Sequence, residues 1–83
     1  MMTEEHLRKE TEKWLKKIRD KLSVVGANDE KGKGILKNIN AYVEDCEYFM
    51  KRGDLIRAFE AVIWAWAYLE IYSGEGILKS KSV

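Results

Sequence analysis

The chain contains neither proline nor glutamine, and it has one cysteine and one histidine. A single cysteine, Cys46, excludes an intrachain disulfide and a cysteine-based zinc site, which suits a reducing compartment. A single histidine, His6, excludes a catalytic histidine pair and a histidine-based zinc site, so we expect it at the surface near the N-terminus. The absence of proline, with helix-forming residues dominant, favours an all-α class.

Length and charge limit the classes of function further. The 83 residues are 46% hydrophobic and 35% charged, which is enough for one small globular domain and not for two. The formal net charge is +1, so no overall field favours nucleic acid or an anionic membrane. Charged residues follow Met1 and Met2 where a secretory signal needs an apolar core, and we expect a cytoplasmic protein. The lack of glutamine beside many lysine, glutamate and isoleucine residues is typical of a thermophile.

The spacing of apolar residues predicts an all-α fold. Helix-forming residues dominate, strand-like alternation is scarce, and apolar residues recur three and four positions apart. The pattern predicts three helices, over about residues 3–24, 33–52 and 54–72, with Thr3 as the cap of the first. The first helix carries one apolar stripe for packing on the others: Leu7, Trp14, Leu15, Ile18, Leu22 and Val25.

A tight turn joins the second and third helices. Gly53 supplies the left-handed residue that ends a helix, and Asp54 caps the helix that follows. A connection this short makes the two helices antiparallel, so the sequence predicts an up-down-up three-helix bundle with a hairpin at Gly53 and Asp54. We expect an ion pair between Asp45 and Arg57 across this hairpin.

A polar, glycine-rich stretch from Gly26 to Gly34 separates the first two helices and predicts a mobile connection. The second helix can start as early as Asn28 or Asp29, but glycines destabilise a helix interior, so we expect its first turn to fray and its firm start near Lys33. The stretch lacks the preceding strand and the Gly-Lys-Ser/Thr ending of a phosphate-binding loop, which argues against phosphate binding.

The end of the domain is predicted from two further glycines. Gly74 and Gly76 end the third helix, and the two apolar residues that follow, Ile77 and Leu78, fold back on the bundle. The single helical domain is therefore expected over residues 1–78, and residues 79–83 are expected to form a disordered polar tail.

The third helix is apolar on two faces. One face, centred on Val62, is needed for packing on the hairpin and the first helix. The other face carries a second apolar set: Ile56, Ile63, Trp64, Ala67, Tyr68 and Ile71. Because Arg57, Glu60 and Glu70 lie within the same helix, it is too short and too charged to span a membrane. We hypothesise a protein-interaction module without enzymatic activity, which forms a dimer or binds another protein through this second face.

A nucleic-acid-associated accessory protein is the alternative function. Basic residues at the end of the first helix and the start of the second would form a local patch: Lys16, Lys17, Lys21, Lys31, Lys33 and Lys37. The acidic residues Asp20, Asp29 and Glu30 lie among these lysines and favour a solvated rim instead.

No residue pattern predicts catalysis, and we expect no cofactor. Cys46 lies on the apolar stripe of the second helix, so it is expected to be buried and unreactive. Carboxylates near the hairpin offer oxygen ligands for a metal ion, but carboxylates on helix exteriors are ordinarily solvated. Both interpretations stay open for this group: Glu44, Asp45, Glu47 and Glu60.

The second half of the chain resembles a known family in a set of short motifs. They are Asn40-Ala41-Tyr42, Asp45-Cys46, Tyr48-Phe49, Gly53-Asp54, Ala58, Ala61, Trp64-Ala65 and Leu69-Glu70. The set is similar to the small archaeal family known as domain of unknown function 357, and it departs from that pattern at Cys46, Trp64, Ala67 and Glu70. The resemblance implies a helical hairpin with a preceding helix and an archaeal source, and it implies no activity.

The same hairpin is similar to a single tetratricopeptide unit. The shared positions are small or aromatic residues around the turn: Cys46, Phe49, Gly53, Ala58 and Ala65. A solenoid requires about three such units, and this chain has room for one. The similarity therefore implies hairpin packing and, by analogy alone, a role in protein contacts.

Overall fold

The computed structural model describes residues 3–81 of the chain. Within them lie three helices and two short strands: α1 (Glu4–Leu22), β1 (Val25–Gly26), α2 (Glu30–Lys51), α3 (Leu55–Gly74) and β2 (Lys79–Ser80). The helices form an up-down-up bundle that measures 40 × 20 × 19 Å, which confirms the predicted all-α class. The strands pair antiparallel, with Val25 opposite Ser80.

The predicted caps of α1 and α3 are confirmed. Thr3 Oγ1 accepts a hydrogen bond from the backbone N–H of His6 at 3.1 Å. Asp54 Oδ1 accepts one from the backbone N–H of Arg57 at 3.2 Å. Each bond satisfies a donor in the first turn that has no partner within its own helix, and so it fixes where the helix begins.

The helices α2 and α3 both end at a glycine with a positive φ. Gly53 has a φ of 77° and Gly76 has a φ of 78°, a region that residues with a Cβ rarely adopt. In each case the N–H just after the glycine donates to a carbonyl five residues earlier, at 2.9 and 3.0 Å. This Schellman ending confirms the prediction for Gly53. The helix α3 runs two residues further than predicted because Gly76, and not Gly74, provides its final turn.

The helix α2 begins three residues earlier than predicted. Asp29 caps it by accepting from the backbone N–H of Gly32 at 2.8 Å. Gly32 is buried, and a Cβ at this position would lie 2.6 Å from the Cβ of Ala27 and 3.1 Å from the carbonyl oxygen of Ile77. The predicted start near Lys33 is therefore wrong, because this glycine permits a close approach of three segments and does not serve flexibility.

The C-terminal segment packs on the connection between α1 and α2. Leu78 is buried, and the N–H of Lys81 donates to the carbonyl of Val24 at 2.7 Å, beside the β1–β2 pair. The chain folds back at residue 78 as predicted. Residues 79–81 do not form the expected disordered tail, because the buried Leu78 holds the next residues alongside β1. Residues 82 and 83 of that tail lie outside the described residues.

The helix α3 packs against both other helices, while α1 and α2 contact each other little. Trp66 of α3 donates from its indole N–H to the backbone carbonyl of Trp14 in α1 at 3.1 Å. The two indole rings meet edge to face, with their centroids 5.8 Å apart. The core draws large, fully buried aliphatic side chains from all three helices and from the C-terminal segment: Ile18, Ile39, Val62, Leu69 and Leu78.

The variant Gly32→Ala is expected to lower the free energy of unfolding by about 1–3 kcal/mol, because its Cβ has no room beside Ala27 and Ile77. Gly34→Ala is the matched control in the same helix, since a Cβ there meets nothing within 4 Å. The control is expected to raise stability by about 0.5–1 kcal/mol. Urea unfolding followed by circular dichroism measures both, and equal effects would contradict the close approach at Gly32.

Candidate functional site

The side of α3 that faces away from α1 and α2 exposes large apolar side chains. The exposed fractions are 67% for Ile56, 42% for Ile63, 54% for Trp64 and 56% for Ile71. Ala67 and Tyr68 are half-buried beside them. We define these six residues as the outer face: Ile56, Ile63, Trp64, Ala67, Tyr68 and Ile71. They are the same six residues that the sequence pattern places on the second apolar face of the third helix.

The outer face is exposed because both neighbouring helices lie on the opposite side of α3. Ala58, Val62 and Leu69 recur at helical spacing on that opposite side and are buried there. At about 100° per residue, the outer-face residues point away from it. Two charged residues, Arg57 and Glu60, lie among them in the first half of the helix, and the second half of the face is uncharged between Ile63 and Tyr68.

A row of aromatic rings runs along one edge of the outer face. The Tyr68 ring stacks on Tyr42 of α2, with centroids 5.6 Å apart and an interplanar angle of 27°. Tyr72 lies 6.1 Å from Tyr68 at an angle of 19°, and Trp64 lies 6.1 Å from it at an angle of 35°. These contacts bury half of Tyr68 and connect the outer face with α2.

A shallow groove follows this aromatic row between α2 and α3. One part has a volume of about 360 Å³ and is lined by Asn38, Ala41, Tyr42, Asp45 and Tyr68. The adjoining part has a volume of about 160 Å³ and is lined by Ile35, Asn38, Tyr68 and Tyr72. The pKa of the Tyr42 hydroxyl is raised, first by its interaction with Tyr68 and then by lost solvation and the Asp45 carboxylate. The tyrosine stays neutral at pH 7, so among the residues described along the groove Asp45 is the charged one.

Arg57 lies at the edge of the outer face and pairs within its own turn. Its Nε is 3.6 Å from Asp54 Oδ2, and its guanidinium lies 5.9 Å from the centre of the Phe49 ring. The expected ion pair between Arg57 and Asp45 is wrong, because Asp54 lies three residues away on the same helix end and is within closer reach. The Arg57 side chain is 70% exposed.

The six lysines of the predicted basic patch are exposed, but they do not share one face. Because α2 begins at Glu30, Lys31 and Lys33 both lie in its first turns, about 200° apart around the axis. Lys33 approaches Glu30 at 3.9 Å, and Lys17 lies 4.8 Å from the centre of the Trp14 ring in α1. The remaining members flank these positions on α1 and α2: Lys16, Lys21 and Lys37.

The carboxylates considered as metal ligands are spread over the hairpin. Glu47 pairs with Arg19 of α1, Asp45 lines the groove, and Glu44 and Glu60 are exposed. Across residues 3–81, no three His, Cys, Asp or Glu side chains come close enough to hold a metal ion. Over the same residues, no helix combines the length and the apolarity that crossing a membrane requires.

Cys46 and His6 lie where the sequence places them. His6 is exposed in the first turn of α1. Cys46 is fully buried in the core of α2. Burial raises the pKa of its thiol, the Glu47 carboxylate adds to this and the Arg19 guanidinium opposes it, and the net pKa is about 11. The thiol is therefore protonated at neutral pH and packs as a small apolar group.

Two exposed apolar residues are not predicted from the sequence pattern. Val24 is 50% exposed in the connection after α1, and Tyr48 is 54% exposed on α2, with the Arg52 guanidinium 5.3 Å from its ring centre. A signal for Tyr48 exists, because Glu44 and Lys51 lie four residues before it and three after it on the polar side of α2.

The fold and this surface define a small all-α protein, a three-helix bundle whose central helix exposes a second apolar face. The model of the family described as Protein of unknown function (DUF357) matches residues 6–78. The structure is similar to the crystal structure of protein AF1782 from Archaeoglobus fulgidus, of the same family, with a TM-score of 0.86. The two are 45% identical over 94% of this chain and 97% of that one. The chain therefore belongs to the DUF357 family, and no curated protein matches it.

The Cys46 thiol is expected to react with an aromatic disulfide reagent at pH 8 about a hundredfold more slowly in the folded protein than in urea, because its raised pKa leaves little thiolate. Burial adds to this protection. The rate of absorbance change after mixing measures the difference. A fast stoichiometric reaction of the folded protein would show that the thiol is accessible.

Proposed function

We propose that the protein is a non-enzymatic interaction module that self-associates through the outer face of α3. The observation that supports this proposal is the exposure of Ile56, Ile63, Trp64 and Ile71 along one side of a single helix. Removing apolar surface from water is favourable by roughly 25 cal/mol per Å². Contiguous apolar surface on a small protein is typical of a contact site, whereas single exposed residues such as Val24 are ordinary.

A second copy of the chain is the partner that fits this face. The net charge of +1 gives little repulsion between two copies. The face has an isoleucine at each end, Ile56 and Ile71, and its bulky pair, Ile63 and Trp64, lies midway between them. Such an order of side chains matches itself when reversed, which is the property that a two-fold dimer interface requires.

The contact is expected to be reversible. An interface made mainly of one helix from each copy is smaller than a standard interface, which buries roughly 800 Å² on each partner. We therefore expect a Kd of about 1–100 μM, the range in which monomer and dimer coexist at ordinary laboratory concentrations. The mass in solution should then rise with protein concentration.

Trp64→Glu is expected to shift the protein to a monomer of 9.7 kDa, because the substitution removes the largest apolar side chain of the outer face and adds a second carboxylate from each copy, four residues from Glu60. Tyr48→Glu is the matched control, since Tyr48 has the same exposed fraction of 54% but lies on α2 and is not one of the six residues of the outer face. The control is expected to keep the mass of the unmodified protein. Sedimentation equilibrium over about 1–500 μM, the range set by the expected Kd, measures all three.

Three results would overturn the proposal. The first is a monomeric mass for the unmodified chain at the highest concentration. The second is a Trp64→Glu variant that keeps the dimer mass, with circular dichroism showing that it is folded. The third is a monomer mass for both Trp64→Glu and Tyr48→Glu, which would show that the contact is not specific to the outer face and contradict the role of α3.

A further inference from the structure

We infer that two copies pair α3 with α3 in antiparallel orientation, with the two-fold axis between Ile63 and Trp64. This inference rests on the proposed self-association and adds the register of the contact. In a two-fold pair, residues at equal distances on either side of the axis face each other, and every contact occurs twice. The register therefore predicts a short set of contacts that can be tested one at a time.

The outer face consists of two rows, as interlocking antiparallel helices require. At about 100° per residue, Ile56 and Ile63 lie toward one edge of the face, and Trp64 and Ile71 lie toward the other. The register puts Ile56 beside the partner's Ile71 and Ile63 beside the partner's Trp64. Each layer then contains one side chain from each row, so that side chains of one helix fill the gaps of the other.

The position of Glu60 selects this register. In a parallel pair, or with the axis at Glu60, the two Glu60 carboxylates face each other, which is unfavourable in a contact from which water is excluded. With the axis between Ile63 and Trp64, Glu60 faces the partner's Ala67, which is a small residue. The two Glu60 carboxylates then lie about 10 Å apart along the helices. An axis at Ala67 would carry Ile56 beyond the end of the partner's α3 and leave it exposed.

The cationic and aromatic groups at one edge also match. Arg57 and Tyr68 are eleven residues apart, about three turns, so they lie on the same edge of α3. Antiparallel pairing brings like edges together and sets Arg57 level with the partner's Tyr68 and the partner's Tyr72. The groove there presents aromatic rings and a single negative charge, a setting that favours a guanidinium. The Arg57 side chain is 70% exposed, and an exposed ion pair such as the one with Asp54 is weak, so the guanidinium is free to turn toward the partner.

Disulfide cross-linking tests the register. The variants E60C and A67C are prepared separately, and each is oxidised alone and after mixing. The register places these two positions at the same level near the centre of the contact, within the Cα separation of about 4.4–6.8 Å that a disulfide spans. The expected result is a cross-linked dimer in the mixture and none from either variant alone. Cys46 is buried and does not compete.

Each other result of this experiment overturns the register. Cross-linking of E60C with itself indicates a parallel pair or an axis at Glu60, and cross-linking of A67C with itself indicates an axis at Ala67. A dimer mass with no cross-link in the mixture leaves the proposed self-association standing and contradicts the register. A monomer mass for the unmodified protein contradicts both.

A second measurement tests the edge contact. R57A is expected to weaken dimerisation about tenfold in Kd, because two guanidinium contacts with aromatic rings are lost per dimer. R52A is the matched control, since Arg52 also lies over an aromatic ring of its own chain, Tyr48, but is not on α3. Its Kd is expected to be unchanged. Equal Kd values for R57A and the unmodified protein, with E60C and A67C still cross-linking, would exclude Arg57 from the contact.

Discussion

The position of α3 between two other helices is the constraint on which the rest of the structure depends. Because α1 and α2 contact each other little, each is held in place mainly by α3. The tight turn at Gly53 and buried alanines such as Ala61 bring α2 close, and the bond between Trp66 and Trp14 fixes α1. Both partners occupy the same side of α3, so the opposite side faces water. The arrangement of the helices thereby produces the outer face.

The two ends of the bundle are closed by different physical means. At one end, Gly53 reverses the chain within a few residues, so the contacts there are local in sequence. At the other end, Gly32 meets Ile77, and the strands β1 and β2 join residues far apart in the chain. Local contacts cost less loop entropy than distant ones. The α2–α3 hairpin can therefore form early, and closure by the C-terminal segment depends on the assembled bundle.

This difference also explains which features could be predicted from the sequence. The caps at Thr3 and Asp54, the turn at Gly53 and the exposed side of α3 depend on neighbouring residues and on helical spacing, and local patterns predict them. Asp29 caps α2 locally, but the space around Gly32 is also limited by Ile77, which lies 45 positions later. Glycine in a sequence indicates either flexibility or close approach, and the contacts in the folded chain distinguish them. The pairing of residues 79–81 with residues 24–26 likewise joins positions far apart in the chain, so local patterns do not predict it.

A helix of this bundle does not need apolar residues on the side that faces water, and α1 shows this. That helix packs on α3 through one stripe and keeps its other sides charged. The side of α3 that holds both neighbours is already filled by residues such as Val62 and Leu69, so Trp64 and Ile71 add little to the packing of the monomer. Tyr68 belongs to both the groove and the outer face, since its ring stacks on Tyr42 of the groove and lies beside Trp64 of the outer face. The groove and the outer face therefore form one continuous surface, and a partner seated on either would contact the other.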